Sequence, residues 1–153
     1  MWYSVDDQDK CVNLEDVPQW DPGDSAPVVL ANEHKMLVAY RLCEREAERR
    51  QLRSGPFSGV EPVAVVTFDP VFDHFFGAPN DETLHGHPLY GRGLEFYGAV
   101  EVLGSSWIRL AERRNAVHDR HNGERFMLGK RHFIFAFHDS TFECIAKGYS
   151  AKC

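Results

Sequence analysis

The stretch 131–149, RHFIFAFHDSTFECIAKGY, constrains the fold more than any other part of the chain. Apolar side chains recur at every second position on both sides of a polar break, and this period of two predicts a β-hairpin. One face of the hairpin collects apolar residues from both strands: Phe133, Phe135, Phe137, Phe142, Cys144 and Ala146. We therefore expect that face to lie in the core of the protein.

The turn of this hairpin decides which residues face each other. If Asp139 and Ser140 are the two central turn residues, Phe137 pairs with Phe142. A slip of one residue would send one set of apolar side chains to the opposite face, so the alternation specifies which face is buried. The turn lacks the Asn-Gly or Asp-Gly sequence that tight hairpins favour, and its type stays open.

Two interpretations of the second, mixed face of the hairpin are open. Antiparallel sheets commonly expose one face, which predicts a half-solvated surface. Alternatively, His138, Asp139 and Glu143 line one end of a ligand site. The tip that ends at Thr141 is not expected to be a hydrolase triad, because nucleophile, base and acid must converge from separate parts of a chain.

Other segments predict further strands. The segments 62–69 and 95–103 have the apolar or alternating patterns of strands. The segment 28–42 fits a hairpin that turns at Asn32–Lys35. However, apolar residues within 32–52 also fit a helical stripe, so helix and strand stay alternatives there.

One principal helix is predicted at about 105–117, where Ser105 or Ser106 can cap its first turn. Strands that outnumber helices and follow one another along the chain favour antiparallel pairing. The predicted fold class is therefore α+β: a mainly antiparallel sheet or a small, partly open barrel, with this helix and a C-terminal hairpin at about 131–149.

The first 26 residues differ in composition from the rest of the chain. They are acidic and rich in turn-forming residues, which predicts a flexible N-terminal arm over 1–26. Trp2, Tyr3 and Trp20 are the residues by which this arm would dock. The remaining residues, 27–153, are expected to form a single globular domain, since their number suits one core.

Charge and hydropathy limit the classes of partner. The formal net charge of −6 argues against nucleic-acid binding through the whole surface. The basic segment 109–132 leaves anion recognition or contact with nucleic acid open, beside a solvated face or pairing with the acidic arm. We find neither a secretory signal nor an apolar run long enough for a membrane span, and we expect a cytoplasmic protein. The oligomeric state stays open.

The segment 71–94 is the best candidate for a functional region. Gly, Pro and Asn interrupt its pattern, which predicts a long irregular loop, and such loops in compact domains are often functional. The loop and the hairpin tip together supply the candidate ligand-binding residues: Asp81, Glu82, His85, His87, Arg92, His138 and Asp139.

His85 and His87 are also candidate ligands of a divalent metal ion. In an extended backbone, residues i and i+2 point the same way and can share a metal. Further ligands would come from this set: Asp81, Glu82, Glu95, His138 and Asp139. The alternative is that both histidines hydrogen-bond to backbone carbonyl groups and hold the loop together.

These patterns lead to two hypotheses of function. The first is a non-catalytic domain that binds a partner protein or a small ligand through the 71–94 loop and the 138–141 tip. The second is an enzyme, metal-assisted or with a histidine as general base. Its site would lie between His85 and His87 on one side and His138 and Asp139 on the other.

Overall fold

The computed structural model describes residues 3–52 and 59–153, in which short helices accompany two sheets. The strands are β1 Lys10–Asn13, β2 Val28–Ala31, β3 Met36–Arg41, β4 Val63–Phe68, β5 Val71–Gly77, β6 Ala99–Leu103, β7 Arg131–Ala136, β8 Thr141–Ala146 and β9 Tyr149–Lys152. The helices are α1 Glu44–Arg49, α2 Ser106–Asn115 and α3 Gly123–Met127, together with a 3₁₀ helix, Asp81–Gly86.

Both sheets are antiparallel and open. One has the strand order β1-β6-β7-β8-β5, and the other has the order β2-β3-β4-β9. Within residues 3–52 and 59–153 neither sheet closes into a barrel. The predicted α+β class, with its antiparallel sheet, is confirmed. No helix in these ranges has the length and the apolar character that crossing a bilayer requires.

The hairpin of β7 and β8 buries the predicted face but has a different register. Phe135 pairs with Phe142 and Phe133 with Cys144, so the predicted pairing of Phe137 with Phe142 is wrong by two residues. Phe137 instead donates its N–H to the Ser140 carbonyl at 2.8 Å. A shift of two residues leaves every side chain on its original face, and the pattern of alternation therefore could not detect it.

The apolar face of the hairpin meets the four-stranded sheet in the main core. The residues buried there come from both sheets, from α1 and from adjoining segments: Trp20, Met36, Val38, Tyr40, Leu42, Ala47, Ala64, Val66, Phe68, Val71, Phe133, Phe135, Phe137, Phe142, Cys144 and Ala146. Neighbouring phenylalanine rings pack at angles, as in Phe68 and Phe142, whose centroids are 5.4 Å apart. Tilted aromatic pairs of this kind stabilise cores beyond the area they bury.

The second face of the hairpin is buried as well, so the half-solvated interpretation is wrong. Every residue of β8 is buried, as are all residues of β7 after Arg131. Leu84, Leu89 and Leu94 cover part of this face. Trp107 of α2 covers the part around Ile145. The hairpin is therefore a central element between two layers.

The predictions for 28–42 and for the principal helix are confirmed. β2 and β3 pair as a hairpin, with Ala31 opposite Met36. In α2 the Ser105 hydroxyl accepts the Ile108 N–H at 3.2 Å, which is the bond expected of an N-cap.

The segment 71–94 is not an irregular loop throughout, which corrects the sequence-based description. Its first part is β5, which pairs with β8 and has a register shift between Val71 and Asp73. This register shift interrupts the period of two, which explains why the sequence pattern does not predict the strand. The 3₁₀ helix Asp81–Gly86 lies further along the segment.

The acidic N-terminal segment supplies a strand rather than a separate arm. β1 pairs with β6, which places Cys11 opposite Val102. Tyr3 and Trp20, two of the predicted anchors, are buried, whereas Trp2 lies outside the described residues.

Ion pairs also tie this segment to the rest of the fold. Asp6 and Asp9 both lie within ion-pair distance of Arg109 on α2. Asp9 also accepts the Ser106 N–H at 2.7 Å. The start of the basic segment is thus neutralised by the chain's own acidic residues.

Candidate functional site

The loop that follows β5 lies over the tip of the hairpin. The Asp81 N–H donates to the His138 carbonyl oxygen at 2.8 Å. The Thr141 hydroxyl donates to the Pro79 carbonyl oxygen, also at 2.8 Å. These bonds bring together two of the predicted regions, which are far apart in sequence.

At this contact His138 and Asp81 form a half-exposed pair. His138 Nδ1 lies 2.7 Å from Asp81 Oδ2, and the Tyr97 hydroxyl donates to the same oxygen at 2.7 Å. The bond from Tyr97, and then that from His138, lowers the pKa of Asp81. Because an ionised carboxylate can only accept, Nδ1 carries the proton and Nε2 is the basic nitrogen. The His138 side chain is 38% exposed.

The backbone of Tyr97 is bent to reach this pair. Its φ of 57° lies in the left-handed region, which costs a non-glycine residue about 1–2 kcal/mol. The Tyr97 carbonyl accepts a bond from Gln19 Nε2 at 3.3 Å, and its hydroxyl is held by Asp81. Both ends of the residue are therefore fixed in the conformation that places the ring beside His138.

A second histidine–carboxylate group lies under the loop, in the core. The Glu143 carboxylate accepts from the Tyr3 hydroxyl at 2.7 Å and contacts His132 Nε2 at 3.0 Å. Its other oxygen lies 3.1 Å from His87 Nε2. Since a buried carboxylate needs donors in place of water, three donors on two oxygens account for its burial.

The hydrogen bonds around His132 define its tautomer. The Ser105 hydroxyl oxygen already accepts the Ile108 N–H, so its proton is free to donate to His132 Nδ1, which is 2.9 Å away. Nδ1 is then an acceptor, and Nε2 carries the proton that is donated to Glu143. Because Ser105 is buried and caps α2, this Ser–His–Glu chain supports the fold.

His87 has the same tautomer for a similar reason. The Leu89 N–H donates to His87 Nδ1 at 3.2 Å, so the ring proton is on Nε2 and is donated to Glu143. Both ring nitrogens are thus used, and His87 connects the loop to the hairpin through a buried bond.

The donors hold Glu143 in its ionised form. Burial acts to raise the pKa of this carboxyl, but the bonds from His132 and His87 outweigh burial and lower the pKa to about 2. Burial, followed by the charge of Glu143, in turn raises the pKa of Tyr3, which stays a donor.

A cavity of about 680 Å³ opens beside His87. Its lining comes from β5 and from the loop over the hairpin: Phe75, Ala78, Pro79, Thr83, Gly86, His87 and Pro88. Phe75 pairs with Glu143 across β5 and β8, so the two side chains share a face of the sheet. The cavity is therefore mainly apolar, with the Thr83 hydroxyl at its wall and the Glu143 cluster beneath it.

The remaining predicted site residues do not join this group. Glu82, His85 and Asp139 are exposed. The Arg92 guanidinium donates to the Asp6 carbonyl, and so it fastens the N-terminal segment.

The geometry expected for a metal pair at His85 and His87 is not the one observed. The backbone there is the end of the 3₁₀ helix rather than an extended strand, so the two side chains diverge, one exposed and one buried. In the described part of the chain, no group of three or more His, Cys, Asp or Glu side chains is placed to hold a metal ion.

Sequence reasoning missed the buried cluster. Tyr3, Ser105 and His132 are not among the predicted site residues, and Glu143 is predicted to lie on a half-solvated face or at one end of a ligand site. One signal was present: a glutamate stands inside the otherwise apolar run TFECIA, and a histidine starts the run HFIFAF. A charged residue in a fully buried strand requires partners, and polar residues of such strands are the places to look.

Comparisons with protein families, with curated proteins and with solved structures found no match to this chain. Function must therefore be argued from the geometry of the site.

Proposed function

We propose that this domain is a non-catalytic binding module that takes up an extended segment of a partner protein. The segment pairs with the outer edge of β5 and places one apolar side chain in the cavity beside His87. The observation that carries the proposal is the position of this cavity at a sheet edge, where Phe75 of β5 forms its wall.

The edge of β5 supports pairing with another strand. β5 ends its sheet, and among residues 3–52 and 59–153 no strand pairs with its other side. Alternate backbone N–H and C=O groups of an edge strand point outward and can bond to an added strand. Phe72 and Phe76 on β5 are exposed by 50% and 40%, and exposed aromatic residues favour such contacts.

The cavity supports side-chain selection. Pro79 and Pro88 restrict the backbone of two of its walls, and bonds from Thr141 and to Glu143 hold the loop on the hairpin. A cavity that is already formed costs little ordering on binding. Its mainly apolar lining suits a large aliphatic or aromatic side chain, and its volume leaves room for neighbouring atoms of the segment.

Local charge indicates the sign of the flanking residues in the partner. Asp73 on β5 and Glu82 on the 3₁₀ helix are exposed, and the whole chain has a net charge of −6. A partner segment with an apolar residue between basic residues would be complementary.

A random library of short peptides, displayed and selected on the whole protein, tests the proposal. We expect the selected peptides to share an apolar residue flanked by Lys or Arg. Amide NMR shifts on binding should map to residues 72–88. Selection that yields no binder, or shifts confined to other parts of the surface, would overturn the proposal.

Two tryptophan variants sharpen this test. Thr83→Trp places a large ring in the cavity, whereas Ser150→Trp adds the same ring at an exposed position on β9, in the other sheet. We expect affinity to fall by about tenfold or more in Thr83→Trp only. Equal affinities of the two variants would show that the cavity is not used.

The half-exposed pair of His138 and Asp81 favours a second candidate function, a histidine-dependent enzyme. A carboxylate on Nδ1 fixes the imidazole and leaves Nε2 as a general base, the arrangement that hydrolytic sites use. The discriminating measurement is a screen with ester, amide and phosphoester substrates. Turnover that is lost in His138→Gln and reduced in Asp81→Asn would favour the enzyme, and equal background rates in all three proteins would exclude it.

A further inference from the structure

We infer that a basic pocket between α2 and α3 binds a small phosphate-bearing ligand. This pocket shares no lining residue with the cavity beside His87, and it adjoins the β5 edge, because Lys130 lies over the rings of both Phe126 and Phe72. Its volume is about 440 Å³. Its lining is mostly polar or basic: Asn115, His118, Arg120, His121, Asn122, Arg125 and Phe126.

The arginines around this pocket differ from most others in the protein. Ion pairs in the described ranges engage Arg41, Arg49, Arg50, Arg92, Arg109 and Arg131. Over the same ranges no ion pair involves four exposed arginines of the α2–α3 region: Arg113, Arg114, Arg120 and Arg125. A cluster of unneutralised guanidinium groups on an acidic chain marks a place where an anion is favoured.

The frame of the pocket is fixed by one polar chain. His121 Nε2 lies 2.6 Å from Glu112 Oε1, and Asn115 Nδ2 donates to His121 Nδ1 at 2.9 Å. A Cβ atom on Gly123 would come within 2.8 Å of Glu112 Oε1, so a larger residue here would displace the Glu112 side chain. The 116–122 loop is thereby held against α2, with His121 Nε2 donating to the Glu112 carboxylate.

His118 adds an oriented donor. The Arg120 N–H donates to His118 Nδ1 at 3.1 Å, so the ring proton is on Nε2. The pocket thus combines an imidazole N–H with the guanidinium groups of Arg120 and Arg125. Guanidinium groups match the oxygens of a phosphate in paired bonds, which favours phosphate over a spherical anion such as chloride.

Titration with pyrophosphate at low salt tests the inference. Binding is monitored by NMR through the signals of the arginine Nε–H groups and the histidine rings. We expect the signals of Arg120, Arg125 and His118 to shift together along one saturable curve. Chloride at the same ionic strength should produce no such curve. Shifts of equal size at all exposed arginines would overturn the inference, because they would indicate attraction by the positive charges of the surface in general rather than binding in the pocket.

Two charge-matched double variants separate a pocket from a basic surface. Arg120→Gln/Arg125→Gln removes lining residues, while Arg113→Gln/Arg114→Gln removes the same charge from α2 outside the lining. We expect the first to weaken pyrophosphate binding by about tenfold or more, and the second by about threefold or less. Equal weakening would overturn the proposed site. All four residues are exposed, and circular dichroism checks that folding is retained.

A single-stranded oligonucleotide serves as the competing ligand. If the pocket recognises a small phosphate ligand, we expect pyrophosphate to bind in the absence of the oligonucleotide. The affinity of the oligonucleotide should then be no higher than its number of phosphate charges explains. Binding of the oligonucleotide alone, with a steep salt dependence and no loss in Arg120→Gln/Arg125→Gln, would assign the region to nucleic-acid contact and overturn the inference.

Discussion

Two histidine–carboxylate groups lie beneath and beside the same loop, and they differ in burial. The side chains of His87 and Glu143 are 0% and 1% exposed, whereas that of His138 is 38% exposed. In the buried group every histidine nitrogen has a partner. In the exposed group Asp81 holds only Nδ1, which leaves Nε2 available to a ligand.

The difference shows how one pair of residue types serves two purposes. Removing a partner from a buried charged group leaves donors without water or protein acceptors, so the free energy of unfolding falls sharply. Removing a partner near solvent allows water to replace it. We therefore expect the buried group to govern stability and the exposed pair to contribute little to it.

The largest expected effect is that of removing the Glu143 carboxylate. Glu143→Ala leaves the Tyr3 hydroxyl and two imidazole N–H groups without an acceptor, and we expect a loss of about 3–5 kcal/mol in the free energy of unfolding. Urea denaturation at neutral pH measures it. A loss below about 1 kcal/mol would contradict the structural role of the cluster.

Acid should destabilise the protein through the same residue. The pKa of Glu143 is about 2 in the folded protein against 4.5 as its ordinary value. A lowered folded pKa gives stability that is complete above pH 4.5 and is lost as the pH falls toward 2. The expected loss is about 3 kcal/mol. Urea denaturation over this pH range should show it in the wild type and less of it in Glu143→Gln, which cannot titrate at this position.

A smaller effect is expected for the serine that links the cluster to α2. Ser105→Ala removes the helix cap and also the partner of His132 Nδ1, and we expect a loss of about 1–2 kcal/mol. Asn122→Ala is the matched control, because Asn122 caps α3 without a buried partner. If thermal unfolding shows the same loss for both, Ser105 acts as a cap alone.

The smallest effect on stability is expected at the exposed pair. In Asp81→Asn the side-chain oxygen can still accept the bond from Tyr97, and water can replace the lost carboxylate as the partner of His138. The urea midpoint should therefore move less than in Ser105→Ala. The same variant should alter the modification rate of His138 by an imidazole-specific reagent. A large fall in stability would show that the two groups do not differ as described.

The sequence specified the buried face of the hairpin but not its pairing. Phe133, Phe135 and Phe142 lie in the core as predicted, because a period of two determines the face. The register depends on the turn, which holds no sequence that selects a turn type. His138 in that turn is anchored by Asp81, a contact between residues 57 positions apart. Local pattern contains no information about such a contact.

The candidate site was predicted in part. Asp81 and His138 were chosen as polar residues of a loop and a hairpin tip, and the structure brings them together. Glu143 was not chosen as a buried group, because its burial depends on Tyr3 and on a loop that covers the strand. Whether a polar side chain in a strand is buried depends on the layer above it, which no spacing within the strand encodes.

The bond between Tyr3 and Glu143 joins residues 140 positions apart. During synthesis on the ribosome, the tyrosine would leave the exit tunnel long before its partner is made. The first strand cannot complete its sheet until β6 and the hairpin have followed. Folding of the centre is therefore a late, non-local event, and a nascent chain that stops before β8 would lack both the floor of the cavity and the acceptor that keeps its tyrosine buried.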